Sequence, residues 1–267
     1  MTEKITHFLQ VKEKLPSIFP YELFSFGPFT FSPATMMATL SVFVFTYLAF
    51  KTNKFKLVPS FFQHITEMLV LFILDFIEKI LGDKKKARKI LPYVGSVFLF
   101  ILFSNLAFLI PGLSAITFND HHVFTASTAD FNTTLALALA SVVIIHFVGM
   151  FENGVFSHLG HFIKVQPIIN GFKKSIGAGF LGIVEFFVGL IEIIGELAKV
   201  ISLSLRLFGN IFAHEVLMII LLGSLAIGLP AIWMGMGILV GVVQAIVFMA
   251  LITVYYSLLV MTDKNHH

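Results

Sequence analysis

The stretch Ile176–Leu222 limits the fold more than any other: 47 residues, mostly apolar and without a proline. As one helix at 1.5 Å per residue it runs about 70 Å, over twice the ~30 Å hydrocarbon thickness of a bilayer. Two upright spans would need a turn near Lys199–Arg206 and would leave those charges outside. A polar stripe argues against that turn. Glu185, Glu192, Glu196, Lys199, Arg206, Asn210 and His214 follow one another at intervals of 7, 4, 3, 7, 4 and 4 residues. At 100° per residue they fall within about 80° of one helix face. The pattern predicts a single steeply tilted helix over 176–222 with a hydrated face. Internal ion pairs of Glu192 or Glu196 with Lys199 are the competing account of the stripe.

Arg206 is the anomaly. Between Lys174 and Lys264 the only Lys or Arg residues are Lys199 and Arg206. An arginine at a spanning helix's centre costs roughly 2.5–3.5 kcal/mol on insertion scales, so it should face protein or water and carry a function. Guanidinium stays protonated, so Arg206 sets a potential while its neighbours handle protons. Glu215 lies about 140° around the helix from Glu192 and faces a different neighbour.

The rest of the chain places these residues in a membrane. Hydrophobic residues make up 57% and charged residues 12% of the chain, so the class is an integral membrane protein. A net charge of +3 does not point to nucleic acid, and the absence of cysteine removes thiol chemistry. Residues 1–22 are charged throughout and lack the apolar core of a cleavable signal peptide.

Residues 1–30 are expected outside and 31–50 form a span, with Lys51, Lys54 and Lys56 marking its cytoplasmic end. Residues 58–82 carry Glu67, Asp75 and Glu78 between basic clusters, as an amphipathic helix on the cytoplasmic surface would. Further spans are expected at 90–112 and 131–151, and a last long tilted helix at 234–261 after an outer turn at Gly223–Trp233. The expected fold is an all-α, single-domain membrane protein. It has about five transmembrane helices plus the surface helix, the last two helices long and strongly tilted.

Three segments, in order, carry a family resemblance. Ser202-Leu203-Ser204-Leu205-Arg206-Leu207-Phe208-Gly209-Asn210, followed by Ala213 and Glu215, resembles subunit a of the F-type ATP synthase, the stator of its membrane motor. Asp130-Phe131-Asn132-Thr133-Thr134 resembles that family's Ala-Asp-x-Asn-Thr-Thr segment. Gln244-Ala245-Ile246-Val247-Phe248 resembles the Gln-Ala-x-x-Phe of its last helix. The resemblance covers roughly residues 90–262.

It implies a proton-translocating stator subunit working against a rotating ring of subunit c. Peripheral-stalk subunit b, the remainder of the synthase and membrane lipid are the other partners. Arg206 would separate two half-channels. Asn210, His214, Glu215 and Gln244 would serve the outer path, and Glu192 and Glu196 the cytoplasmic one. Asp130 and Asn132 either line the outer mouth or cap the helix that begins there. The implied location is a bacterial inner membrane, with the N-terminus outside and the C-terminus cytoplasmic.

One departure stands out. Some family members carry a histidine at the position matching Gly237, where this chain carries His214 on the preceding helix instead. If those helices run antiparallel and close, His214 fills the space above Gly237 and turns its imidazole towards Glu215 and Gln244. Asn105 and His146 are expected to bond between helices, and Gly237-x-x-x-Gly241 to permit close approach.

Other chemistry finds little support. His214-Glu215 is not a zinc-protease motif, because Met218 stands where the second histidine belongs. His121-His122 and His158-x-x-His161 lie in loops without further ligands. No catalytic residue, cofactor or metal is expected. A self-contained secondary transporter would need a second broken polar helix as an inverted repeat, and the chain has one stripe. An intramembrane hydrolase would need a nucleophile–base pair that cannot be assembled.

Overall fold

The structure is a computed structural model and describes residues 23–26, 29–52, 60–110, 113, 116–118, 121–154, 176–224 and 228–262. Residues 1–22, the His158-x-x-His161 pair and the loop lysines Lys164, Lys173 and Lys174 lie outside the described residues.

Among the described residues six α-helices dominate: α1 (Pro33–Thr52), α2 (Phe61–Leu81), α3 (Lys84–Ala107), α4 (Phe131–Asn153), α5 (Ile176–Ser224) and α6 (Leu229–Thr262). Among the described residues, α1, α3, α4 and α6 are long and apolar enough to cross a membrane. The protein is an all-α membrane protein. Two small antiparallel hairpins, unforeseen in the sequence, join Phe24–Phe26 (β1) to Phe29–Phe31 (β2) and Thr117–Phe118 (β3) to His121–His122 (β4).

Helix starts follow from local chemistry. Ser32 and Thr35 cap α1 reciprocally: the Ser32 amide donates to Thr35 Oγ1 at 2.8 Å, and the Thr35 amide to Ser32 Oγ at 3.3 Å. Pro33 takes the first helical position, where a missing N–H costs nothing. Gly82 closes α2 at φ 66°, and its amide bonds Glu78 O at 2.8 Å. Asp83 then opens α3 by accepting from the amides of Lys85 and Lys86.

That cap draws the basic cluster into the helix, so α3 begins at Lys84 rather than Ile90; it ends at Ala107. Likewise α6 begins at Leu229, five residues before the expected 234. Pro230 is tolerated there because the first turn needs no internal N–H bond. The expected outer turn is correspondingly shorter, and Trp233 belongs to the helix.

The chain divides into two compact units, residues 1–134 with 205–250, and 135–204 with 251–267. In the first, Ile73, Ile77 and Leu81 recur every four residues on α2, and a Cβ on Gly95 of α3 would lie 3.9 Å from Ile73 Cγ2. Val94, Ile101, Leu207, Ile211, Phe248 and Met249 extend its core. In the second, Ala138, Val142 and Ile145 of α4 form one buried stripe. Ile252, Tyr256 and Val260 of α6 form another, and Val200 and Leu203 of α5 are buried as well.

Candidate functional site

The first unit holds the arginine motif. Leu207, Ile211, His214 and Glu215 recur at helical spacing as the buried side of α5. Arg206, Gly209, Asn210 and Ala213 are exposed. Among the described residues Arg206 has no hydrogen bond or ion pair, and its neighbours Ile201 and Leu205 present more than half their surface. Asn210 Nδ2 donates to Gln244 Oε1 of α6 at 2.7 Å, with Gln244 buried. One amide pair thus ties the exposed face to the interior.

His214 lies one turn further on. Its imidazole stacks on Trp233 with ring centroids 5.5 Å apart, and its Nε2 lies 3.2 Å from the Trp233 carbonyl oxygen. The Trp233 indole N–H returns a 3.2 Å bond to the His214 carbonyl oxygen. A carbonyl only accepts, so Nε2 carries the hydrogen. A Cβ on Gly237 would fall on the His214 imidazole, so glycine is the residue that admits this ring. The pairings Asn210–Gln244 and His214–Gly237 run in opposite senses, so α5 and α6 are antiparallel here. His214 fills the space above Gly237 as its bulk predicts. Its recorded bonding partner, however, is Trp233 rather than Glu215 or Gln244.

Behind α6 the segment before α4 folds inward as a single 3₁₀ turn, Ser127–Ala129. The Ser127 amide donates to Ser104 Oγ at 2.9 Å and Thr128 Oγ1 to Asn105 Oδ1 at 2.5 Å. Asn105 Nδ2 reaches the Gly241 carbonyl at 3.5 Å, and a Cβ on Gly241 would meet Asn105 Cβ at 3.1 Å. The two glycines of Gly237-x-x-x-Gly241 therefore serve different neighbours, α5 and α3. The Ala126 amide faces the buried Glu215 carboxyl, whose Oε1 has no partner among the described residues; neither has the Oγ of buried Ser127. Asp130 accepts from the Asn132 amide at 2.9 Å and from Thr133 Oγ1 at 3.2 Å, so it caps α4.

The second unit holds a separate polar cluster. Lys199 Nζ lies 2.5 Å from Glu196 Oε1, and His146 Nε2 of α4 lies 3.2 Å from Glu196 Oε2. The ammonium also sits 5.1 Å above the Tyr255 ring of α6. The ion pairing weighed for the stripe is thus present at Glu196 and Lys199.

Comparison with known proteins decides the family. A family model described as the ATP synthase A chain matches residues 33–257. The chain belongs to that family. ATP synthase subunit a of Moorella thermoacetica is 31% identical over 238 residues, 89% of this chain and 94% of the relative. The subunit a of Desulforamulus reducens is 34% identical over 248 residues, covering 88% and 82%. That of Geobacter sp. strain M21 is 37% identical over 204 residues, 76% of each. As an ATP synthase subunit a, the chain is a non-catalytic component of the F-type complex and an integral membrane protein.

Within this family member, Asn210 pairs with Gln244, and Glu196 pairs with Lys199 and His146. Glu192 is half-buried on α5, and Asn132 takes part through its amide in the Asp130 cap. Sequence reasoning passed over Ser104, Ser127, Thr128 and Trp233. Trp233 had a signal, as the only tryptophan of the chain, next to a proline-bearing turn. Ser104 had none, because a hydroxyl in an apolar helix usually bonds its own backbone, and Ser127 and Thr128 fall in the short turn before α4, outside any helical period.

Proposed function

We propose that this subunit conducts protons through two offset aqueous half-paths against a rotating ring of c subunits, with Arg206 between the paths. The observation that carries the reading is an exposed guanidinium, without a partner among the described residues, on a helix where the exposed Ile201 and Leu205 beside it are apolar. In lipid such a charge is expensive, so it calls for an anion from another chain. A carboxylate on each ring subunit meets that need. It arrives neutral, ionises beside Arg206, and the fixed cation blocks direct passage of protons.

Asn210, His214, Glu215 and Gln244 serve the outer path, with Asp130 and Asn132 nearer its mouth. Glu192 and Glu196 line the cytoplasmic path. The 49 residues of α5 support a strong tilt, since they amount to about 73 Å of helix in a ~30 Å hydrocarbon layer. Subunit b and the remaining subunits complete the stator. In this reading the complex sits in a bacterial inner membrane, with the N-terminus outside and the C-terminus cytoplasmic, an orientation that the loop lysines support. One charge crossing supplies about 2.3 kcal/mol per 100 mV, so many crossings are summed by rotation.

The test is proton-driven ATP synthesis by the assembled complex. Arg206→Ala is expected to abolish it and to allow passive proton leak. Arg206→Lys is expected to be defective as well, because an ammonium lacks the planar fork and deprotonates more readily. Near-normal synthesis in either assembled variant would falsify the gating role.

A further inference from the structure

We propose that Ser127 is a further positioning residue of the outer path: its hydroxyl and Glu215 Oε1 hold a bound water between them, and the Ser127–Ala129 turn forms a wall of that path. The inference rests on the reading that Glu215 serves the outer path. It adds a residue and a ligand that the polar stripe of α5 does not supply.

The turn itself has no use for this hydroxyl. The Ser127 amide donates to Ser104 Oγ of α3 at 2.9 Å, and the Ser127 carbonyl accepts from the Asp130 amide at 3.4 Å. The Ala129 amide donates to the Ala126 carbonyl at 2.9 Å, and Thr128 Oγ1 to Asn105 Oδ1 at 2.5 Å. An alanine at 127 would keep every one of these bonds. Yet Ser127 is fully buried, and its Oγ has no partner among the described residues. A hydroxyl taken out of water without a bond is costly, so the position calls for a partner.

A second orphan lies close by. Glu215 Oε1 on α5 is buried and also without a partner among the described residues. The amide that faces this carboxyl belongs to Ala126, the residue before Ser127. Consecutive Cα atoms are only about 3.8 Å apart, so the turn carries the Ser127 hydroxyl to the neighbourhood of the carboxyl. Water suits two such oxygens. It both donates and accepts, so it bonds a hydroxyl and a carboxyl oxygen whether or not the carboxyl is protonated. Buried waters are found where polar groups are otherwise left unsatisfied.

The chain also leads from the surface to this place. Ile116 and Thr117 are exposed, residues 123–125 are partly exposed, and residues 126–128 are buried. In the proposed orientation this loop between α3 and α4 lies on the outer side. Transfer through the water then balances: one O–H bond of the water breaks as one forms at Glu215 Oε1, and a proton from outside restores the water. Ser127 fixes the water in place and neither gains nor loses a proton.

The experiment uses the whole synthase. A cryo-EM map in lipid nanodiscs, at a resolution that shows water, is expected to hold a peak within about 3.2 Å of both Ser127 Oγ and Glu215 Oε1. In Ser127→Ala the peak is lost and the turn stays where it is. Proton-driven ATP synthesis per assembled complex is expected to fall about fivefold in this variant, the factor of one ordinary hydrogen bond. The thermal midpoint of the solubilised complex is a readout that a packing role would not move the same way. Deleting a hydroxyl that bonds water lowers it, whereas deleting one that bonds nothing raises it.

A wild-type map without the peak, near-normal synthesis by Ser127→Ala, or a raised midpoint each overturns the proposal. If Ser127→Ala does not assemble, the wild-type map decides alone. Glu215→Gln in the same assay keeps the two readings apart. Loss of synthesis there beside near-normal Ser127→Ala leaves the outer-path reading standing and removes this inference. Near-normal synthesis by Glu215→Gln removes the reading on which the inference rests.

Discussion

At the scale of single residues, the exchange of bulk between His214 and Gly237 is the sharpest departure of this chain and the easiest to test. The imidazole is pinned between Trp233 and the Gly237 backbone, so any side chain at 237 collides with a ring that has a locked partner. Gly237→Ala is expected to destabilise the subunit by roughly 1–3 kcal/mol, the usual cost of overpacking. Gly237→His should be worse, and His214→Gly should slow proton uptake if the imidazole serves the outer path. The double exchange then recovers part of the activity. A double variant no better than the worse single one, measured as proton-driven ATP synthesis, would show that the two positions do not share a site.

At the scale of elements, helix ends are set by short polar motifs that apolar patterning does not report. Asp83 is the test case. The amides of Lys85 and then Lys86 hold its carboxyl below the ordinary value of 3.8. A carboxyl held lower in the folded state stabilises that state above its unfolded value and loses the effect as pH falls through the lower, folded one. Asp83→Ala is therefore expected to lower the thermal unfolding midpoint of the solubilised complex at pH 7. The gap to wild type should narrow only below about pH 4, where carboxylates protonate. Asp83→Asn, which still caps, should sit between them at pH 7. Coincident midpoints at pH 7 would mean that the α2–α3 turn holds without its cap.

At the scale of the whole molecule, the apolar exposure of α5 is the feature that a lone subunit does not explain. Ile194, Leu197, Ile201 and Leu205 each show more than half their surface, on the helix that also carries the exposed Arg206. Part of that surface belongs to lipid. The part beside Arg206 should belong to the ring. A photo-reactive side chain at Ile201 or Leu205 is expected to capture the c subunit in native membranes, whereas one at Phe43 on α1, which is also exposed, should capture mainly lipid. Labelling of lipid alone from all three positions would remove the ring from the Arg206 face.

The sequence by itself determined the membrane class, the family, and α5 as one unbroken helix over Ile176–Ser224. Those properties are local: composition, the absence of proline, and a polar period that keeps helical phase. It also indicated the His214–Gly237 contact, because a bulky residue and a missing side chain on neighbouring helices leave few other arrangements. Only the tertiary structure decided which polar groups meet. Asn105 finds Gly241 across 136 residues of chain, His146 finds Glu196 across 50, and Asn210 finds Gln244 across 34. The inward turn of Ser127–Ala129 is likewise a matter of fit against Ser104 and Asn105. A buried polar group must be bonded, but its own neighbours in sequence do not say by what. The choice is made when distant segments pack, and in this chain that choice brings His146 to Glu196.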